Sequence, residues 1–192
     1  MNPLLIRRRG MMAQGGSMVE IEYLKRSSGN LYINIPVIAR KGVRVEVDFQ
    51  KSTTNQNFLF GAYVSNSNCI QCYTGSAASW RYGSGSKPIN TSNTTRHIAI
   101  MDDVDFSLDG GVFYSFSTGD FNTNLPITLF GRNSSGSFAG KIFAAKITDV
   151  DNTLYDLIPV RVGQVGYMYD RVSGQLFGNL GTDDFILGPD IQ

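Results

Sequence analysis

The chain has 192 residues, 42% of them apolar and 17% charged, with a net charge of +1. At that length roughly 70% of the unfolded surface can be buried, so one domain can build a core without staples. Near-neutrality excludes the global attraction by which strongly basic proteins hold nucleic acid or anionic membranes, and the abundance of Gly, Asn, Ser, Thr and aromatic residues favours short strands and turns over helices.

Residues 1–17 read as a separate arm. Leu4, Leu5, Ile6, Met11 and Met12 lie near Arg7, Arg8 and Arg9, and a Gly15-Gly16 break follows. A short helix and a weakly ordered tail both fit, and the functional reading is an attachment or oligomerisation arm. The first 26 residues carry a net +3, so the remainder sums to −2. The apolar run after the arginines is too short and too glycine-rich for a signal peptide. No run is long enough to insert in a membrane as a helix.

The β pattern fills residues 18–192, read as one domain. It opens with VEIEYL, turns at Ser27-Ser28-Gly29-Asn30, and continues with LYINI and GVRVEVDFQ. In the last of these, Val43, Val45, Val47 and Phe49 share one face while Arg44, Glu46, Asp48 and Gln50 share the other. That is a strand buried on one side only.

The segments FLFGAYV, CIQCY, SWRYG and RHIAIM then recur at short intervals between Ser/Asn/Gly clusters, which suggests an antiparallel meander. Cys69 and Cys72, at odd separation in a strand, point to opposite faces and are expected to be reduced and mostly core. Asp109-Gly110 marks a tight hairpin, because a type I′ turn needs positive φ at both central residues. Residues 133–137 read as a flexible loop. From Gly140 an apolar run, the polar turn at Asp149, Asp151 and Asn152, a returning run to Val160, and aromatic segments punctuated by Gly166, Gly174, Gly178 and Gly181 close the chain. About a dozen short strands in this length call for two packed sheets.

Two blocks carry a family likeness. One is Ile21-Glu22-Tyr23-Leu24 leading to Tyr32-Ile33 and the Val-rich strand ending Asp48-Phe49. The other holds Gly140-Lys141-Ile142-Phe143, Asp156-Leu157-Ile158-Pro159-Val160, Gly166-Tyr167-Met168-Tyr169-Asp170, Ser173-Gly174 and Phe177-Gly178-Asn179 with Gly181-Thr182. With these the chain resembles the concanavalin A-like, laminin-G-like jelly-roll family, in the variety frequent in phage, prophage and gut-bacterial proteins. The resemblance implies an all-β, two-sheet antiparallel β-sandwich and a non-catalytic, lectin-like module. The expected setting is a virion or extracellular surface, such as a tail fibre, where the module recognises a glycan or bacterial surface and the arm over residues 1–17 docks a virion partner protein. A structural or assembly protein and a degenerate glycoside hydrolase are the alternatives. The closing block itself reads as a clasp, with Asp170 accepting turn amides and Asn179 and Gly181 able to adopt left-handed conformations.

Catalytic patterns are incomplete. Some glycoside hydrolases of this fold carry Glu-x-Asp-x-Glu on one strand. Here Glu46 and Asp48 are followed by Gln50, whose amide cannot act as a general acid. His97 is the only histidine, and no nucleophile elbow accompanies it. Asp102, Asp103, Asp105, Asp109 and Asp120 cluster in loops where calcium is conceivable, although their spacing is not that of an EF-hand; otherwise no cofactor is expected. The candidate ligand site is Trp80, Arg81 and Tyr82, joined by Tyr63, Asn66 and Asn68. Aromatic faces stack on sugar rings while Asn and Arg bond the hydroxyls. Alternation puts Trp80 and Tyr82 on one face, which would serve equally as core.

Overall fold

The computed structural model describes residues 16–26, 28–75, 79–91, 94–115 and 117–192, and among them it contains strands and no helix. The arm expected over residues 1–17 therefore lies outside the described residues up to position 15, as does Ser27. In chain order the strands are β1 (Met18–Glu20), β2 (Leu24–Arg26), β3 (Ile33–Arg40), β4 (Val43–Lys51), β5 (Asn57–Ser65), β6 (Asn68–Thr74), β7 (Ser79–Tyr82), β8 (Gly85–Pro88), β9 (Arg96–Met101) and β10 (Asp105–Leu108). There follow β11 (Gly111–Ser115), β12 (Asn122–Leu129), β13 (Gly131–Arg132), β14 (Ser135–Gly136), β15 (Gly140–Asp149), β16 (Asn152–Val162), β17 (Val165–Asp170), β18 (Leu176–Gly178) and β19 (Ile186–Leu187).

Two large antiparallel sheets result. The eleven-stranded sheet runs β11-β10-β9-β4-β15-β16-β17-β18, with β1 beside β16 and β2 joining β15 to β19; the six-stranded sheet runs β3-β12-β5-β6-β7-β8. Their facing sides share one core, to which the first contributes Val43, Val45, Val47, Phe49 and Phe106 and the second Ile33, Ile35, Phe60, Ile70 and Trp80. The protein is thus an all-β, two-sheet antiparallel sandwich. Strand β4 behaves as its alternation predicts, with all four inward side chains at 0% exposure. Their burial contributes on the order of 6–12 kcal/mol before conformational entropy is subtracted.

Several turns follow their chemistry. Asp109 (φ 53°) and Gly110 (φ 79°) make the tight connection between β10 and β11. The expected meander is β5-β6-β7-β8, whereas RHIAIM crosses to the other sheet as β9 and pairs with β4.

Other segments differ from their sequence reading. VEIEYL is not one strand: β1 pairs with β16, Ile21 bridges Asp190, and β2 pairs with β15 and β19, so this segment changes partner within a few residues. The segment read as a flexible loop at 133–137 forms the β13–β14 hairpin, with Asn133 (φ 52°) and Ser134 (φ 59°) both left-handed, the requirement of a type I′ turn. In the clasp, Gly174 has a positive φ of 70°, but Asn179 and Gly181 do not adopt left-handed conformations. The Asn179 carboxamide oxygen instead accepts the Tyr32 and Gly181 amides, at 3.1 and 2.8 Å. Glycine is required at 181 because a β-carbon there would collide with the Asn30 carbonyl.

Candidate functional site

The period of two divides the sequence candidates between opposite sides of the six-stranded sheet. Trp80 and Tyr82 point inward and are 0% exposed, Trp80 against Phe106 and Tyr82 against Phe121. The Tyr82 hydroxyl donates to the Val43 carbonyl at 2.9 Å, beside the β3–β4 turn, and burial raises its pKa. Neither ring can stack on a ligand at the surface, so the stacking role read for this pair is corrected: they are core.

Arg81 and Tyr63 are half-buried on the outer side, and Asn66 is exposed at the β5–β6 turn, where its carboxamide oxygen accepts the Tyr63 hydroxyl at 3.1 Å. Asn68 turns its amide to the Asn122 carbonyl at 3.0 Å. Strand pairing extends the outer surface beyond these residues. Gln71 lies opposite both Arg81 on β7 and Gly61 on β5, and Gly61 lies opposite Thr128 on β12.

Across this surface lies the β13–β14 hairpin. Asn133 grips the Tyr63 backbone, accepting from its amide and donating to its carbonyl, each at 2.7 Å. The Ser134 amide donates to Thr128 Oγ1 at 3.1 Å. Arg132 then sits with its guanidinium 4.0 Å from the Phe58 ring centre and 4.6 Å from that of Tyr63, donating to Gln71 Oε1 at 2.8 Å. Phe58 in turn packs on Tyr73 at 4.4 Å. Two half-buried aromatics thus flank one arginine, and a third, Tyr73, backs Phe58.

Arg81 and Arg132 both act on the buried Cys69 thiol: burial raises its pKa to about 11, and the two cations, Arg81 foremost, work against that rise. Cys72, on the opposite side of β6, joins the core, and both cysteines are free.

The charge environment separates the two sheets. On the eleven-stranded sheet Arg44 pairs with Glu46 at 3.2 Å, Arg96 with Asp48 at 2.8 Å and Arg171 with Asp156 at 2.7 Å. None of the six strands of the other sheet contains Asp or Glu. The Arg81 guanidinium has neither a hydrogen bond nor an ion pair among the described residues, and Arg132 has a neutral partner. Residues 49–101 and 121–148 hold no carboxylate side chain at all. That acid-free pattern is the sequence signal for Arg132, Gln71, Phe58 and Tyr73, none of which lies in a recognisable local motif.

The hydrolase-like carboxylates Glu46 and Asp48 are both engaged in the arginine pairs just described. His97 Nδ1 meets Asp109 Oδ2 at 2.6 Å, and its Nε2 meets Thr95 Oγ1 at 2.9 Å. The order hydroxyl, imidazole, carboxylate is that of a triad, but the burial is inverted. A triad buries its carboxylate beneath a reachable imidazole; here His97 is buried and the Asp109 side chain is 50% exposed. Asp109 also accepts the Ile98 amide at 2.8 Å, so the constellation ties the β10–β11 turn to β9.

The loop aspartates are dispersed. Asp102 accepts the Val104 and Asp105 amides and pairs with Arg44, while Asp120 pairs with Lys41. Among the described residues no group of three or more His, Cys, Asp or Glu is placed to hold a metal, and no helix is long and apolar enough to cross a membrane. Two open grooves, one bordered by Pro36, Ile38 and Leu154 and the other by Lys41, Asp103 and Phe121, include none of the outer-sheet residues. In comparisons with known proteins, the chain matches no family model and no curated protein.

Proposed function

We propose that this sandwich is a non-catalytic binding module that recognises a glycan on the outer surface of its six-stranded sheet. The observation that carries the reading is the strip of half-buried aromatics, Phe58, Tyr63 and Tyr73, set beside Arg81, Arg132 and the exposed Asn66. Aromatic faces offer the apolar platform a sugar ring stacks on, and the amide and guanidinium groups supply donors for its hydroxyls. Because the hairpin holds Arg132 against Phe58 and Tyr63, little side-chain entropy of that arginine remains to be lost on binding. The jelly-roll resemblance supports a setting on a phage, prophage or cell surface.

The test is an array of bacterial polysaccharides probed with the full chain and with Tyr63→Ala. Binding that Tyr63→Ala weakens about two- to tenfold is expected, since stacking on one aromatic is worth roughly 0.5–1.5 kcal/mol. Binding to no saccharide on the array would remove the reading and favour an assembly role.

A further inference from the structure

Resting on the glycan-binding reading of this face, we infer that its ligand is an acidic saccharide polymer, whose carboxylate or phosphate groups are held jointly by Arg81 and Arg132.

Arg40, Arg44, Arg96, Arg161 and Arg171 each pair with a carboxylate of this chain, and Arg26 donates to the Gly29 and Gly136 carbonyls. Among the described residues Arg26, Arg81 and Arg132 have no carboxylate partner; Arg26 is held by two backbone carbonyls, Arg132 by one neutral amide and the Arg81 guanidinium by nothing, and these last two are brought to one place. Arg81 stands opposite Gln71, Arg132 bonds the Gln71 side chain, and both act on the Cys69 thiol.

Two half-buried guanidinium groups gathered where the sheet supplies no carboxylate repel each other, a cost that an incoming anion relieves. The guanidinium fork matches both the planar carboxylate and the phosphate oxygens. Arg132 is oriented for this beforehand by two rings and an amide, whereas Arg81 has every donor free of partners among the described residues. An acidic polymer also explains why cations and aromatics are interleaved: sugar rings meet Phe58, Tyr63 and Tyr73 while the acidic groups meet the arginines. A neutral glycan would leave both charges uncompensated.

The experiment compares the full chain against dextran as neutral polymer, polygalacturonate as carboxylate polymer and ribitol-phosphate teichoic acid as phosphodiester polymer, beside the polysaccharide array. At least one acidic polymer is expected to bind about tenfold or more tighter than dextran, and to weaken as salt rises from about 0.05 to 0.5 M. The carboxylate and phosphate arms distinguish which group supplies the charge. Arg81→Gln, which breaks no bond to a described residue, should weaken that binding about tenfold with an unchanged melting temperature. Arg171→Gln, on the other sheet, should leave it intact. Equal binding of neutral and acidic polymers, or acidic binding that Arg81→Gln does not touch, overturns the acidic-ligand inference while leaving the glycan face in place. Binding to neither class, array included, overturns both readings.

Discussion

Arg132 donates to Gln71 Oε1 at 2.8 Å, joining a two-stranded hairpin to the fourth residue of β6 across 61 positions of sequence. Gln71 is 6% exposed, so this acceptor is provided in a place water scarcely reaches. Losing it leaves a half-buried cation without its acceptor. Gln71→Leu should therefore cost about 1–2 kcal/mol in urea unfolding and weaken acidic-polymer binding, because the guanidinium is no longer fixed. Wild-type stability in Gln71→Leu would show that the bond does not secure the hairpin.

Trp80 distinguishes core from ligand site. Trp80→Ala should destabilise by about 3–5 kcal/mol, the usual cost of deleting a buried aromatic. Trp80→Phe should behave differently, because the indole Nε1 is buried without an acceptor among the described residues. Removing that unsatisfied donor offsets much of the lost volume, so chemical denaturation should shift by no more than about 1 kcal/mol, with polymer binding unchanged. A selective loss of binding in a stably folded Trp80→Phe protein would contradict the inward assignment.

Asp170 connects stability to pH. It is fully buried and accepts the Asp156, Val172 and Ser173 amides at 2.8, 3.2 and 2.9 Å, together with the Ser173 hydroxyl. Burial acts to raise its pKa, yet the Ser173 hydroxyl and the three amides outweigh it and hold the carboxyl below its ordinary value. Asp109 is likewise depressed: burial is again opposed, here by His97 and the Ile98 amide. A depressed folded pKa means the unfolded chain binds more protons. The contribution is then complete above the ordinary carboxylate value near pH 4 and is lost as pH falls through the folded value. Wild-type stability should decline below about pH 4. Asp170→Asn should cost about 2–4 kcal/mol at neutral pH, since one carboxamide oxygen cannot accept from four donors, and its stability should vary less with acid. A wild-type slope in Asp170→Asn would assign the acid sensitivity elsewhere.

Val150 offers a gain. It occupies the β15–β16 turn at φ 52° and is 74% exposed. A β-branched side chain is strained in the left-handed region and little burial compensates it here. Val150→Gly or Val150→Asn should raise stability by about 0.5–1.5 kcal/mol, read as a higher melting temperature. A lower melting temperature for both variants would show that the exposed valine contributes more than the strain removes.

The sandwich was readable because its code is local. Alternation in β4, the Asp109-Gly110 turn and the glycine-punctuated C-terminal strands each express a two-residue period or a φ requirement that neighbouring residues reveal. The same period already placed Cys69 and Cys72 on opposite faces. It also put Trp80 with Tyr82 and left Arg81 on the other side, without saying which side was core.

That choice belonged to the tertiary structure. Inward and outward are defined only once a second sheet arrives, and here Phe106 of β10 and the β3–β4 turn cover Trp80 and Tyr82. Arg132 came to the candidate surface through a hairpin that sequence presented as a loose Asn-Ser-Ser-Gly stretch. Its partner Gln71 and its flanking rings Phe58 and Tyr63 are distant in sequence and meet only through strand pairing and the fold-back of that hairpin. Local periodicity fixes how each strand divides its side chains between two faces. Long-range packing decides which face meets water and which charges are left without a counterpart.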